Sequence, residues 1–176
     1  MIFTTGMGMN DIPRVKRNLI AALDDGRAAA RAFVESLSPD LPVHDDSDWT
    51  ARDLIIHLTA LEADMIAAMQ SAIDGAAFSV DLRGQADAPA LYELRRRDWA
   101  HHSWDDLLRQ WQRTRDQLRG AVLAFPVEQI ETPFSNPFFV DYDLIGAVRA
   151  CGAHEREHLA EMRAALVRRE QSSRNT

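Results

Sequence analysis

Apolar positions recur at steps of three and four residues over four long stretches of the chain, the pattern of helices that each bury one stripe. The first stretch begins at Asp11, carries Pro13 in its first turn, and runs through Val15, Leu19, Ala22, Leu23, Ala30, Phe33, Val34 and Leu37 until "SPDLP" ends it. The second opens at Thr50, paired with Asp53 in the manner of a capping box, and continues through Leu54, His57, Leu58, Leu61, Met65 and Ala68 to a stop near "DGAAF". Ser103 and Asp106 repeat that pairing at the head of a third stretch through Trp104, Leu107, Leu108, Trp111, Leu118, Val122 and Leu123. The fourth takes Asp141 as its N-cap and runs from about Tyr142 to about Arg169, with "QSSRNT" left as a polar tail that frays.

The connections carry breakers rather than strand patterns. Residues 74–90 read as a long loop with Gly75, Gly84 and Pro89, and Leu91 to Trp99 is a candidate short extra helix. A second loop, Phe125 to Val140, holds Pro126, Pro133 and Pro137. Four amphipathic helices without alternating strands predict an all-α, up-down four-helix bundle with the long loop and extra helix between helices 2 and 3. At 176 residues, residues 1–176 fit one domain with a sizeable core.

Composition narrows the function classes. A net charge of -7 repels phosphate backbones, so no nucleic-acid partner is expected. No window approaches the roughly 18 apolar residues of a membrane span, and "MIFTTGMGMN" lacks the features of a secretion signal. Cys151 is the single cysteine, which rules out an internal disulfide and suits a reducing cytoplasm. The expected location is cytoplasmic.

The histidines carry the candidate chemistry. On the fourth helix His154 and His158 lie on a stripe with Leu144, Ala147, Val148, Cys151 and Met162, and on the second helix His57 sits among Leu54, Leu58 and Leu61. Three imidazoles from two helices thus point toward the bundle interior, where each needs a hydrogen-bond partner. A divalent metal satisfies all three through neutral ring nitrogens and keeps positions open for water or substrate. The competing reading for each is a core histidine bonded to a carbonyl or carboxylate.

"HEREH", His154 to His158, also matches H-E-x-x-H, the zinc motif of many metalloproteases. That reading fails on the residues downstream of His158. The helix continues through "LAEMRAALVRREQSSRNT" with no further histidine and no turn, and neither Glu161 nor Glu170 can easily swing back to close a site.

The stretches "DWTARDLIIHLTALEADM" and "HEREHLAEMRAAL", in this order on a four-helix background, resemble the DinB-like (YfiT-like) superfamily of four-helix-bundle metalloproteins. The resemblance spans most of the chain and implies a metal triad at His57, His154 and His158. The divalent ion it implies is zinc or nickel, with iron or manganese as alternatives, since imidazoles suit several first-row metals. Relatives similar to the mycothiol-dependent maleylpyruvate isomerases often place a glutamate where this chain has His154, whereas those similar to bacillithiol and other thiol S-transferases keep three histidines. The implied function is a metal-dependent transferase or hydrolase for a small-molecule substrate, with a low-molecular-weight thiol as a candidate second cofactor, in a homodimer. The alternative is a non-enzymatic metal-binding or dimerising bundle, stress-related in role. No catalytic residue is assigned.

The neighbours of the triad divide into functional and structural readings. Cys151 is a candidate fourth ligand or nucleophile, against the stronger reading of a buried small hydrophobe. Glu155 is read as a surface carboxylate near Arg149, Arg156 or Arg163, while Arg52, Asp53 and Glu62 are available to hold the ligands from behind. Trp49 is expected as the apolar entry to the second helix, and Trp99, Trp104 and Trp111 as core or dimer packing. His101 and His102 fall at a helix break and His44 in the acidic loop "HDDSD", which lacks the glycine and spacing of a calcium loop.

Overall fold

A computed structural model describes residues 12–79, 88–138 and 140–174, with five helices and no named strand among them. They are α1 (Ile12–Glu35), α2 (Ala51–Ile73), α3 (Ala88–Trp99), α4 (Trp104–Ala124) and α5 (Leu144–Arg174). The expected start at Asp11, the loop residues Gly84 and 80–87 around it, and the last two residues of the tail lie outside the described residues. The rest of the tail departs from expectation: "QSSR" continues α5 to Arg174, because nothing in it breaks a helix and Ser172 and Ser173 bond back to the carbonyls of Arg168 and Arg169.

Of the three predicted caps, one forms in full and a second only in its side-chain half. Thr50 accepts from the Asp53 amide while the Asp53 carboxylate accepts from the Thr50 amide at 2.8 Å, a complete capping box. Ser103 accepts from the Asp106 amide at 3.1 Å. The third cap moves by two residues. Asp143, not Asp141, heads α5: its carboxylate accepts from the Gly146 amide at 2.7 Å and its carbonyl from Ala147 at 2.9 Å. Asp141 instead accepts from the Ser135 hydroxyl at 3.2 Å, within a loop closed by an isolated bridge between Phe134 and Tyr142.

The four long helices enclose two apolar clusters stacked along the bundle. One joins Leu19 and Leu23 of α1, Met65 and Met69 of α2, Leu118 and Val122 of α4, and Leu144, Val148 and Cys151 of α5. The other joins Val34, Leu54, Leu58, Leu107, Trp111, Leu159 and Met162. Trp49, Trp99 and Trp104 pack on this second cluster, and Trp111 is fully buried within it, so the tryptophans serve the core. Leu123 is the exception to the predicted α4 stripe, at 59% exposed.

The order of residues through the clusters gives the helix directions. α1 and α5 run from the first cluster to the second, while α2 and α4 both run the other way. The up-down alternation expected for four helices therefore does not extend across the long connection. A chain leaving α2 at one end must return the length of the bundle before α4 begins, and the segment containing α3, which packs on α2, makes that return. None of the described helices is long and apolar enough to cross a membrane.

Between the clusters lies a layer that the periodicity does not announce. Each long helix contributes one charged side chain to it: Arg27, Glu62, Arg115 and Glu155, each with a side chain 4% exposed or less. Arg27 meets Glu62 at 2.7 Å and Glu155 at 2.9 Å, and Arg115 binds Glu62 and, at 2.8 Å, Glu155. Arg115 also donates to the Leu23 carbonyl at 2.9 Å, and Arg27 to the Trp111 carbonyl at 3.1 Å while stacking over that indole at 3.8 Å. The two positive and two negative charges balance, which is the condition for burying them together. Burial still pushes the Glu155 carboxyl above its usual range, against the pull of Arg27 and Arg115. The reading of Glu155 as a surface carboxylate near Arg149, Arg156 or Arg163 is thus overturned, and Glu62 belongs to this layer rather than behind the histidines.

Candidate metal centre

The capping box fixes where α2 begins, and His57 comes almost two turns later at the edge of the second apolar cluster, itself 9% exposed. On α5 the buried stripe runs through Leu144, Val148, Cys151, Glu155, Leu159 and Met162. His154 and His158 therefore flank that stripe, half-buried on the side facing α2, rather than lying along its centre. Four residues separate them, so both rings project from the same side of the helix.

The three imidazoles converge through the same ring atom. His57 Nε2 lies 2.8 Å from His154 Nε2, which lies 3.1 Å from His158 Nε2. Among the described residues these three form the group of possible metal donors whose atoms all fall within 4.8 Å of one another. Aromatic rings wall the group: Tyr92 of α3 meets the His57 ring edge-on at 4.4 Å, Trp49 does so at 5.8 Å, and Phe138 approaches His154 at 5.7 Å.

The protonation of the rings suits ligation. Burial first, and then the neighbouring imidazoles, lowers His57 to about 3 and His154 to about 4. Both rings are neutral at physiological pH, as a metal ligand must be. The Glu161 carboxylate lies 2.6 Å from His158 Nδ1. A carboxylate only accepts, so that nitrogen carries a hydrogen, and in a neutral ring Nε2 then holds the lone pair.

Protons alone satisfy this arrangement poorly. If His154 Nε2 carries hydrogen, that one hydrogen must serve two facing nitrogens; if it accepts from His57, its lone pair opposes that of His158. One cation at the point of convergence engages three lone pairs at once, so the donor set fits a divalent ion. His57 Nδ1 is buried with no hydrogen-bond partner in the protein, so this ring lacks the outer support that Glu161 gives His158.

The other candidates fall away from the centre. Cys151 is buried in the first apolar cluster, its thiol pushed up by burial and by the Glu62 charge, and it is not among the converging donors. Arg52 donates to the His102 carbonyl at 2.8 Å, and Asp53 is occupied with the Thr50 cap. His101 and His102 are exposed and stack on each other. Glu161, considered from sequence only as a metalloprotease ligand, contacts the ring edge of His158 that points away from the other two histidines.

A family model described as the DinB superfamily matches residues 22–162, a span that includes all three histidines and the whole charged layer. No curated protein matches the chain. Among solved structures, an uncharacterised protein from Escherichia coli UTI89 is similar at 13% identity with a TM-score of 0.69, over 88% of this chain and 94% of its own. That likeness bears on the fold.

Proposed function

The chain belongs to the DinB superfamily, and from that premise we propose that it is a metal-dependent enzyme in which His57, His154 and His158 hold one divalent ion, zinc or nickel in the first instance. The observation that carries this reading is the meeting of three Nε2 atoms at 2.8 and 3.1 Å, with two of the rings kept neutral by their surroundings. A bound ion supplies Lewis acidity, which makes a nucleophile of a thiol or water near neutral pH.

The chain's own residues do the rest. His57 anchors the site against the core from α2, while the half-buried His154 and His158 leave it approachable from outside. Tyr92, Trp49 and Phe138 present ring edges and faces around it, which favours a small substrate with apolar surface. The reaction class is transfer from a low-molecular-weight thiol, or hydrolysis, in a single-domain cytoplasmic protein that pairs as a homodimer.

Elemental analysis of untagged protein beside a variant carrying His57→Ala, His154→Ala and His158→Ala tests the site. About one metal per chain in the native protein, absent from the variant, is expected. Native protein that neither retains metal nor takes up zinc, nickel, iron or manganese would return the histidines to a packing role. With metal established, thiol-dependent transfer and hydrolysis of small electrophiles are the activities to measure.

A further inference from the structure

We propose that Glu161 is the positioning residue of this centre: it selects the ring form and orientation in which His158 can serve as a ligand. The inference rests on the metal-binding reading above and extends it to a residue behind the triad. His158 Nδ1 lies 2.6 Å from Glu161 Oε2, one turn further along α5. A neutral imidazole free in water favours the opposite tautomer, with hydrogen on Nε2. In that form the nitrogen facing His154 would present a hydrogen instead of a lone pair. The carboxylate reverses the preference, because it accepts from Nδ1–H and gains charge-assisted strength in doing so.

Two features set this pair apart from an ordinary surface contact between residues three apart on a helix. The His158 side chain is only 14% exposed, so its ring has few other partners for Nδ1. The same Glu161 oxygen is also approached by His44 Nε2 at 3.8 Å, from the loop ahead of α2. That loop is held in place: Val43 donates to the Trp49 carbonyl at 2.9 Å, and its own carbonyl accepts from Arg168 of α5 at 2.7 Å. Glu161 is thus bracketed by the ligand on one side and an anchored loop on the other, and it does not approach the point where the three Nε2 atoms meet.

The test compares native protein with Glu161→Ala and Glu161→Gln by zinc titration in competition with a chromophoric chelator, and by nitrogen NMR of the histidine rings in the metal-free proteins. The side chain is 32% exposed, so both variants should fold, as circular dichroism will verify. The expected result is one zinc per chain in the native protein, affinity about 10- to 100-fold lower in Glu161→Ala, and an intermediate loss in Glu161→Gln, whose amide oxygen still accepts. In the metal-free native protein His158 should carry its proton on Nδ1, and in Glu161→Ala on Nε2. Unchanged zinc affinity in Glu161→Ala would overturn the role while leaving the triad intact, as would weaker affinity with an unchanged tautomer. Absence of zinc binding by the native protein would instead sink the metal reading itself, and this inference with it.

Discussion

Replacing Arg115 by methionine should be among the most damaging single substitutions in this protein. The guanidinium is 1% exposed and makes four polar contacts: one to the Leu23 carbonyl, two to Glu62 and one to Glu155. Methionine fills much of the same volume, so the loss is chiefly electrostatic. Two buried carboxylates would then share Arg27 alone, leaving one negative charge in excess where water cannot reach it. Breaking a buried ion pair from one side costs ~3–5 kcal/mol, a large part of the stability of a domain this size. The melting temperature should fall by about 6–20 °C, and the urea midpoint in step with it.

The loss should also depend on pH, with a determinate sign. Glu155 already has its folded pKa raised by burial, and without Arg115 it would rise further. A carboxyl with a raised folded pKa stabilises the fold below its unfolded pKa and loses that contribution as pH rises through the folded value. Urea unfolding followed by circular dichroism should therefore show a larger deficit at about pH 8 than at about pH 5.5. A deficit under ~1 kcal/mol that is flat with pH would refute the account of this layer. Replacing all four charges together, with Arg27→Met, Glu62→Leu, Arg115→Met and Glu155→Leu, should by contrast be neutral or stabilising by up to ~4 kcal/mol.

Metal-free protein should lose stability as pH falls below about 6.5, because the unfolded chain protonates His57 and His154 there while the fold keeps them neutral to about 3 and about 4. Two extra protons on the unfolded state give a slope of ~2.7 kcal/mol per pH unit near pH 5, reduced by up to about half by Glu155 acting in the opposite sense; melts that coincide at about pH 5 and 6 would contradict this. Asp143→Ala should cost ~1 kcal/mol through loss of the α5 cap, with Asp141→Ala milder, and equal effects in chemical denaturation would put the cap in the wrong place. Cys151 should resist iodoacetamide in the native protein and react fully in guanidinium; ready alkylation of the folded state, detected by mass spectrometry, would show that the thiol is neither buried nor inert.

The helices, two caps and the inward placing of the three histidines are legible in the sequence because each leaves a signature on its own helix. Thr50 with Asp53, Ser103 with Asp106, and the four-residue step from His154 to His158 can be read without knowing what lies across the bundle. The charged layer has a signature too, though a faint one: Arg27 stands four residues after Leu23, Glu62 four after Leu58, Arg115 four after Trp111, and Glu155 four after Cys151. Each is a charge standing on an apolar stripe. Taken singly, such a residue looks like the edge of a solvated face, and only the meeting of two cations with two anions makes burial affordable. Glu155 is further obscured by the two histidines beside it, which draw the inferred core stripe of α5 toward themselves. The Asp143 cap and the parallel course of α2 and α4 depend on tertiary closure, which a periodic pattern does not record.

The charged layer also acts as a stop against sliding. Glu62 lies five residues beyond His57 on α2, and Glu155 is the immediate neighbour of His154 on α5, so one axial offset between these helices sets both contacts. A shift by one turn would move a helix by about 5.4 Å. It would place a charge opposite an apolar layer and draw the His57 and His154 nitrogens well beyond bridging distance. Apolar layers of similar width tolerate such slippage; paired guanidinium and carboxylate groups do not. The spacing between the histidines on two separate helices is therefore gauged by four side chains that lie outside their cluster.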